Sequence, residues 1–272
     1  MNQVLTVNQN KKPIYNIRLE NNYDNLLQIF DRVNYSGRKI CIVTDTNVEK
    51  LYLNNVKKIL KNEASKVETF IFTAGEESKT LDTVKSLYEH LILTGFDRKD
   101  ILVALGGGVV GDLTGFAAAT YLRGISYIQL PTSLLSMVDS SIGGKTGVDF
   151  NTYKNMVGAF YQPAGVYINL DTLHSLSEKE FISGLGEIIK HGLIKDREYY
   201  EWIKANHLQI EERDLSILQE LVYRSCMIKK AVVEEDFKEN GERALLNFGH
   251  TIGHSVEKLM NFWLAHGECV AI

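Results

Sequence analysis

The stretch ILVALGGGVVGDLTGFAAATYL at residues 101–122 decides the fold. It opens with five apolar residues, typical of a buried strand, and passes through a glycine-rich turn into a helical pattern from Leu113. Gly106, Gly108 and Gly111 match the G-x-G-x-x-G spacing. In that spacing, small residues let the backbone N–H groups of a helix N-terminus approach a pyrophosphate. The stretch therefore predicts a strand–turn–helix unit with a dinucleotide site at its turn.

Two features argue against a standard Rossmann site at this turn. The following strand, residues 126–130, runs into Pro131, Thr132 and Ser133 and lacks the acidic residue that usually contacts a ribose. The glycine motif also follows the third strand of the chain instead of the first. A tight turn can need glycines without any ligand, so the motif alone favours a dinucleotide site only weakly.

Strand and helix patterns alternate on both sides of this unit. Further β-type runs occupy residues 39–44, 68–72, 126–130 and 165–170, and helical periodicity occupies residues 47–60 and 80–95. Such alternation predicts a mostly parallel sheet. From about Ser177 the β-type runs stop and long helical patterns take over. We therefore expect a Rossmann-like α/β domain at residues 1–174, followed by an all-α domain at residues 175–272.

Polar residues at the ends of the predicted strands are the first candidates for a site, because open α/β sheets bind ligands at the carboxyl ends of their strands. Asp45 and Asn47 follow the first of these strands, and Glu76 and Lys79 follow the second. A run rich in glycine, serine and lysine at residues 139–155 resembles a phosphate loop but lacks the P-loop spacing. We interpret it as a mobile or ligand-ordered anion loop; the alternative is a flexible surface loop with solvated lysines.

A polar stripe dominates the second half. If residues 243–257, RALLNFGHTIGHSVE, form a helix, steps of three and four place five polar side chains on one face: Arg243, Asn247, His250, His254 and Glu257. These groups are costly to bury unless a ligand lies between them. The alternative is a hydrated amphipathic face. Gly249 and Gly253 would let a ligand or a neighbouring backbone approach closely.

Histidine spacing suggests a metal site within this stripe. His250 and His254 lie four residues apart, a spacing that can hold one ion, and either His266 or Glu187 could supply a third ligand. Glu187 and Lys190 share a face of an earlier predicted helix, where an ordinary surface ion pair is the alternative. Spacing alone selects His250 and His254 and leaves the third ligand open.

Composition excludes several classes of protein. The chain of 272 residues is 44% hydrophobic and 24% charged, as in ordinary globular proteins. Its net charge of −4 argues against a nucleic-acid-binding surface. No apolar run reaches the roughly 20 residues of a membrane helix, and the N-terminus lacks the apolar core of a secretory signal. Cys41, Cys226 and Cys269 are odd in number and widely spaced, so we expect buried thiols and a cytoplasmic location.

Several long motifs occur in a specific order along the chain. They are LGGGVVGDLTGFAAA at 105–119, PTSLLSMVDSSIGGKTGVD at 131–149, YKNMVGAFYQP at 153–163, EIIK at 187–190, and LLNFGHTIGH at 245–254 before HGE at 266–268. Together they resemble the 3-dehydroquinate synthase family, the NAD- and metal-dependent cyclases of the shikimate pathway that leads to chorismate and the aromatic amino acids.

The resemblance implies roles for particular residues. NAD would contact Asp45, Asn47, Glu76, Lys79, Gly107, Gly108, Val109, Asp112, Thr132, Ser133, Lys154 and Ser175. A zinc or cobalt ion would bind Glu187, His250 and His266, which displaces the spacing-only choice and leaves His254 for the substrate phosphate. The other substrate groups would be Asp139, Lys145, Asn155, Lys190, Lys229, Arg243 and Asn247. Arg123 would be lent to the site of a neighbouring subunit, which implies a homodimer.

The implied substrate is a phosphorylated sugar acid, 3-deoxy-D-arabino-heptulosonate 7-phosphate. It would become 3-dehydroquinate and phosphate through transient oxidation by NAD, phosphate elimination, re-reduction and an intramolecular aldol closure. Family members continue through further helices, including a phosphate-binding lysine, so we expect that this chain either is shortened relative to the family or lacks the C-terminal part of the site. Alternatives are a cyclase acting on sedoheptulose 7-phosphate or glucose 6-phosphate, a metal-dependent polyol dehydrogenase, or an inactive nucleotide-binding or scaffolding protein.

Overall fold

The computed structural model describes residues 3–151, 153–239, 241–260 and 263–271, except for the side chain of His254. Seven strands form one sheet in the order β1-β2-β9-β6-β5-β3-β4, and β7 and β8 form a separate hairpin. Every neighbouring pair in the large sheet is parallel apart from β1 and β2. The strands are β1 Gln3–Gln9, β2 Lys12–Glu20, β3 Lys39–Asp45, β4 Lys66–Phe72, β5 Ile101–Gly106, β6 Ser126–Pro131, β7 Lys145–Phe150, β8 Tyr153–Phe160 and β9 Gly165–Asn169.

Helices alternate with the strands from β3 to β6, and only helices follow β9 among the described residues. They are α1 Asn54–Leu60, α2 Leu81–Leu93, α3 Gly108–Thr120, α4 Glu178–Lys195, α5 Arg197–Ala205, α6 His207–Glu211, α7 Leu215–Glu235, α8 His250–Leu259 and α9 His266–Ala271. Short polar side chains begin several of them. The hydroxyls of Thr80 and Ser177 accept the backbone N–H of Thr83 and Glu180, which stabilises the first turns of α2 and α4. The prediction of an α/β part followed by a helical part is confirmed.

Three apolar clusters hold the sheet between its helices. One face packs on α2 and α3 through residues such as Val43 and Leu113. The other face packs on α1 and on the 3-10 helix Leu26–Arg32. The third cluster joins β1, β2 and β9 to the helical half, for example through Tyr15 and Phe181. The helical half therefore packs directly on the sheet. A division into domains at 174/175 remains a prediction.

The two hairpins are the main departures from the expected fold. Neither β1–β2 nor β7–β8 was expected. The interpretation of residues 139–155 as a mobile or ligand-ordered loop is wrong for 145–150 and 153–155, which are strands, whereas anion binding there stays a prediction. Lys145 pairs with Phe160 in an antiparallel ladder whose register shifts between Val148 and Phe150. Gly158 makes this ladder possible, since a Cβ there would lie 2.4 Å from the carbonyl oxygen of Thr146. The loop is thus a structured arm that packs against α3.

All three cysteines are free and buried, as expected. Among the described residues, no helix combines the length and the apolar character needed to cross a membrane.

Candidate active site

A cleft of about 1150 Å³ runs along the carboxyl edge of the sheet. Since β3, β4, β5 and β6 are parallel neighbours, the residues that follow them meet at this edge. The helical half contributes Glu180, Glu257, Lys258 and His266 to the same cleft. All twelve residues predicted to contact NAD lie in its lining: Asp45, Asn47, Glu76, Lys79, Gly107, Gly108, Val109, Asp112, Thr132, Ser133, Lys154 and Ser175. The structure therefore brings the predicted set together, and its role in binding NAD remains a prediction.

The glycines of the 106–111 turn serve different purposes. A Cβ on Gly106 would lie 2.4 Å from Val110 Cγ2, and one on Gly111 would lie 2.7 Å from Gln129 Oε1. These two glycines are needed for close packing within the unit. In contrast, a Cβ on Gly107 would meet Ser133 Oγ only at 3.5 Å, and α3 begins at Gly108. The middle of the turn thus presents the N-terminus of α3 to the cleft, as a pyrophosphate site requires.

A buried cation lies in the wall of the cleft. Lys79 is 3% exposed, and its ammonium group donates to Asp112 Oδ2 and Asn155 Oδ1, both at 2.6 Å. Burial disfavours the charged amine, but the carboxylates of Asp112 and Glu76 outweigh this and raise the pKa of Lys79. Burial also raises the pKa of Asp112, against the opposing effect of Lys79. Lys79 and Asp112 therefore form a largely buried ion pair beside the predicted cofactor.

Three potential metal ligands come from three different helices. Glu187 lies on α4, while His250 and His266 are the first residues of α8 and α9. The Nε2 atoms of both histidines lie 3.9 Å from Glu187 Oε1, and one ligand atom of each residue lies within 4.8 Å of the others. Burial and nearby Asp139 raise the pKa of Glu187, against the opposing charge of Lys190.

The donor set suits a divalent metal ion. One carboxylate and two imidazoles form a common set for catalytic zinc, which leaves a fourth position open for a water or a substrate oxygen. Moreover, Glu187 Oε1 is buried and has no hydrogen-bond partner among the described residues. A buried carboxylate oxygen in that state is costly unless a cation neutralises it. These residues therefore fit a metal ion.

The polar stripe expected at 243–257 is not a single helix, so that prediction is wrong. A 3-10 helix covers Glu242–Asn247, and α8 begins only at His250. Gly249 separates them with a φ of +80°, a left-handed conformation that glycine adopts at little cost. Arg243 and Asn247 consequently do not share a helix face with His250. The side chain of His254 lies outside the described residues, and its predicted contact with phosphate stays a prediction.

The expectation that Gly249 and Gly253 admit a neighbouring backbone is confirmed. A Cβ on Gly249 would lie 2.5 Å from the carbonyl oxygen of Val270, and one on Gly253 would lie 2.9 Å from that of Cys269. The neighbouring backbone is α9, and this close packing brings His250 next to His266, with ring centroids 5.1 Å apart.

Buried charges surround this cluster. The Lys229 ammonium donates to the backbone oxygen of Asp139 at 2.6 Å and also to its carboxylate. Lys190 donates to the backbone oxygen of Leu246 at 2.6 Å and to Glu187. Burial opposes ionisation of Asp139, but Lys229 and Lys190 outweigh it and hold the pKa of this carboxyl well below its usual range. Burial lowers the pKa of Lys229.

The other predicted substrate groups make separate contacts. Lys145 pairs with Glu239, which also accepts a hydrogen bond of 2.9 Å from Asn247 Nδ2. Arg243 is 1% exposed and donates to the backbone oxygens of Gly143 and Phe237 at 3.2 and 2.9 Å. Among the described residues, Asp139 and Asn155 line the cleft, whereas five predicted groups lie outside its lining: Lys145, Lys190, Lys229, Arg243 and Asn247.

Three residues without a predicted role take part in these networks. Glu239 joins Lys145 to Asn247, Glu257 lies 3.5 Å from His266 Nδ1, and the Nδ1 atom of His191 lies 2.7 Å from Ser225 Oγ. Glu239 lies in a loop, and the other two contacts join different helices. Helical periodicity could not reveal these partners. For the contact between Glu257 and His266, the only indication in the sequence is the position of Glu257 on the predicted polar stripe.

Arg123 lies apart from the cleft lining. It is exposed at the turn after α3, where Leu122 and Arg123 both have positive φ values, 49° and 69°. Such conformations are uncommon for residues other than glycine. The turn therefore projects the arginine from the surface of this chain.

The class of protein follows from fold and site together: a largely parallel α/β sheet with a dinucleotide-type turn, joined to helices that bring a metal-type cluster to the same cleft. Known proteins match this architecture. The family model for the N-terminal part of 3-dehydroquinate synthase matches residues 69–183, and the model for its C-terminal part matches residues 184–272. The chain belongs to the 3-dehydroquinate synthase family, an enzyme family, and the resemblance identified from its motifs is confirmed.

Individual relatives support the assignment. The chain is 50% identical to 3-dehydroquinate synthase of Acetivibrio thermocellus, over 95% of this chain and 71% of the relative. It is 51% identical to the Ruminiclostridium cellulolyticum enzyme, over 87% of this chain and 66% of that enzyme. It therefore spans about two thirds of these relatives. A crystal structure of 2-deoxy-scyllo-inosose synthase complexed with carbaglucose-6-phosphate, NAD+ and Co2+ matches with a TM-score of 0.87 at 27% identity, over 99% of this chain and 74% of that one.

Proposed function

We propose that this chain converts 3-deoxy-D-arabino-heptulosonate 7-phosphate into 3-dehydroquinate and phosphate. NAD binds in the cleft at the sheet edge, and one zinc or cobalt ion binds Glu187, His250 and His266. One observation carries the proposal: His266 both lines the cleft and belongs to the carboxylate–imidazole cluster. A substrate held at the cluster would therefore adjoin the cofactor cleft.

The cofactors supply chemistry that the side chains lack. When bound, NAD accepts a hydride and later returns it, and a divalent ion polarises the hydroxyl to be oxidised. The residues of the chain must then hold one flexible molecule with two anionic groups, a carboxylate and a phosphate, while phosphate leaves and the ring closes. Much of the rate enhancement then comes from positioning.

The cationic residues perform this positioning. Lys145, Lys190, Lys229 and Arg243, with Asn247 and His254, bind the carboxylate and phosphate of the substrate. Asp139 is kept ionised by two neighbouring ammonium groups, so it accepts hydrogen bonds from substrate hydroxyls. Asn155 lies beside Lys79 in the cleft, where it can contact both substrate and cofactor.

We also propose the wider organisation of the protein. Residues 1–174 form the NAD-binding domain, and residues 175–272 form the helical part that binds metal and substrate. Two copies form a homodimer in which each Arg123 completes the site of the other copy, because this exposed arginine lies apart from the cleft of its own chain. The free, buried cysteines suit the cytoplasm.

A second candidate is a sugar-phosphate cyclase with another substrate. The solved structure of 2-deoxy-scyllo-inosose synthase holds carbaglucose-6-phosphate, a ligand without a carboxylate. Sequence identity favours the heptulosonate, because the identities of 50% and 51% to 3-dehydroquinate synthases exceed the 27% to that cyclase. A polyol dehydrogenase or an inactive nucleotide-binding protein would lack phosphate release altogether.

The deciding experiment measures phosphate release from the heptulosonate by this chain, with NAD and added zinc or cobalt, and identifies the product by NMR. We expect stoichiometric phosphate and 3-dehydroquinate without net accumulation of NADH. NADH accumulation would indicate a dehydrogenase. NAD binding without phosphate release would indicate an inactive binding protein. Product from glucose 6-phosphate or sedoheptulose 7-phosphate alone would select the other cyclases.

A further inference from the structure

The two ring nitrogens of His266 face two different carboxylates. Its Nε2 atom lies 3.9 Å from Glu187 Oε1, and its Nδ1 atom lies 3.5 Å from Glu257 Oε2. Glu257 lies on α8 and is 8% exposed, and it makes a partly buried contact with the first residue of α9. The imidazole is thus held between a proposed metal ligand and a second carboxylate.

We propose that Glu257 is a positioning residue that sets the tautomer and orientation of His266. An ionised carboxylate can only accept hydrogen bonds, so the proton of a neutral His266 lies on Nδ1. The lone pair of Nε2 then points toward Glu187, where a metal ion would accept it. Histidine ligands in metal sites commonly donate their second N–H to a carboxylate in this way. The inference rests on the proposed metal site at Glu187, His250 and His266.

The other oxygen of Glu257 is also engaged. Lys154 Nζ lies 3.4 Å from Glu257 Oε1, and Lys154 lies on β8 and lines the cofactor cleft. The Glu257 carboxylate therefore contacts Lys154 with one oxygen and His266 with the other. This two-sided contact limits rotation of the carboxylate and so fixes the direction in which it meets His266.

The test compares the affinity of the metal-free 272-residue chain for Co2+, followed by the visible absorption of bound cobalt, among Glu257 variants. Loss of a carboxylate behind a histidine ligand typically weakens metal binding about 10- to 100-fold, and we expect that loss for Glu257→Ala. Glu257→Gln keeps an acceptor oxygen at the same reach and should recover most of the affinity. Glu257→Asp keeps the negative charge, but its carboxylate lies one methylene farther from His266. This variant should therefore bind Co2+ more weakly than Glu257→Gln. Glu89→Ala, an exposed glutamate of α2, is the matched control.

The outcomes distinguish a failure of the proposed metal site from a failure of the positioning role of Glu257. If the wild-type chain binds no Co2+, the metal site itself fails. If it binds and Glu257→Ala binds equally well, the positioning role alone fails. Tighter binding by Glu257→Asp than by Glu257→Gln would show that Glu257 acts through its charge and would overturn the inference. Circular dichroism of the metal-free variants tests whether each one folds. If Glu257→Ala does not fold, the comparison of Glu257→Gln with Glu257→Asp still tests the positioning role.

Discussion

A Cβ atom on Gly186 would lie only 2.1 Å from the carbonyl oxygen of Gly267. The backbones of α4 and α9 are therefore in direct contact at this point. Gly186 precedes Glu187 and Gly267 follows His266, so the contact sets the separation between two of the proposed metal ligands. The short distance is possible only because neither residue has a side chain.

Replacing Gly186 with alanine should destabilise the protein. In an ordinary helix, Gly→Ala stabilises by about 1 kcal/mol. Here the methyl group would meet a backbone oxygen, and overpacking of this kind typically costs about 1–3 kcal/mol. We expect a net loss of about 1 kcal/mol in the free energy of unfolding, measured by urea denaturation, together with weaker Co2+ binding as α9 moves away from α4.

Gly241→Ala is the control for this variant. A Cβ there would meet nothing closer than Asp236 Oδ2 at 3.9 Å, but its φ of −163° and ψ of −106° lie outside the regions favoured by alanine, so any loss of stability should come from backbone strain and Co2+ affinity should stay at the wild-type value. Wild-type stability and metal affinity in Gly186→Ala would contradict the role of this contact.

The sequence predicts well those features that depend on local pattern. Apolar, β-branched runs identified five neighbouring parallel strands, β9, β6, β5, β3 and β4, and parallel pairing then brought Asp45 and Thr132 to one cleft. The three-ligand cluster came only from resemblance to a known family. Spacing alone chose His254 because periodicity reports neighbours within a helix, whereas His266 approaches from a separate helix.

The features that were missed depend on contacts distant in sequence. The helical periodicity of the sequence continues through Gly249, yet the helix is interrupted there. The carbonyl oxygen of Val270 lies where a side chain at position 249 would be. No pattern within residues 243–257 indicates that this oxygen lies beside Gly249. The β7–β8 hairpin likewise depends on packing against α3, and its lysine- and glycine-rich sequence resembles a loop.

Lys79 should be essential for stability. Lys79→Met removes the cation beside the mostly buried carboxylate of Asp112, and loss of one partner in such a pair costs about 3 kcal/mol. The free energy of unfolding measured at pH 7 should fall by about that amount. Adding Asp112→Asn removes the unpaired charge, so the double variant should recover a large part of the loss.

The difference in the free energy of unfolding between wild type and Lys79→Met should also decrease at low pH. Burial already raises the pKa of Asp112, and loss of Lys79 raises it further. A carboxyl whose pKa is higher in the folded state binds its proton more readily there, so the folded state gains stability as pH falls. The difference from wild type should therefore decrease between pH 7 and pH 4. A constant difference across this range would contradict the assignment of the penalty to Asp112.

Lys145 should matter for turnover and little for stability. Its side chain is 48% exposed, so loss of its ion pair with Glu239 should cost less than about 1 kcal/mol. If Lys145 binds the substrate, Lys145→Ala should reduce kcat/KM for phosphate release on the order of 100-fold. Lys204→Ala, which removes the exposed ion pair with Glu201, is the control and should retain activity. Near-wild-type turnover in Lys145→Ala would exclude the substrate role.

His191 should make the protein sensitive to acid. The side chain is fully buried against Ser225, and burial together with the charge of Lys190 lowers its pKa from 6.5 to about 3, although Asp139 opposes this and Lys229 adds to it. Between those two pH values, the unfolded chain binds a proton at this histidine and the folded chain does not. Stability is therefore lost as pH falls through this window.

The measurement is a comparison of wild type with His191→Asn, which can keep a polar contact with Ser225 but does not titrate. Urea denaturation at pH 7, 6 and 5 gives each free energy of unfolding. For an unfolded pKa of 6.5, this one site should cost the wild type about 2 kcal/mol between pH 7 and pH 5. The variant avoids that loss, so the gap between the two proteins should narrow by the same amount. A gap that is independent of pH would show that His191 has the same pKa in the folded and the unfolded protein, and a gap that widens toward pH 5 would show a raised pKa, as pairing with Asp139 would produce.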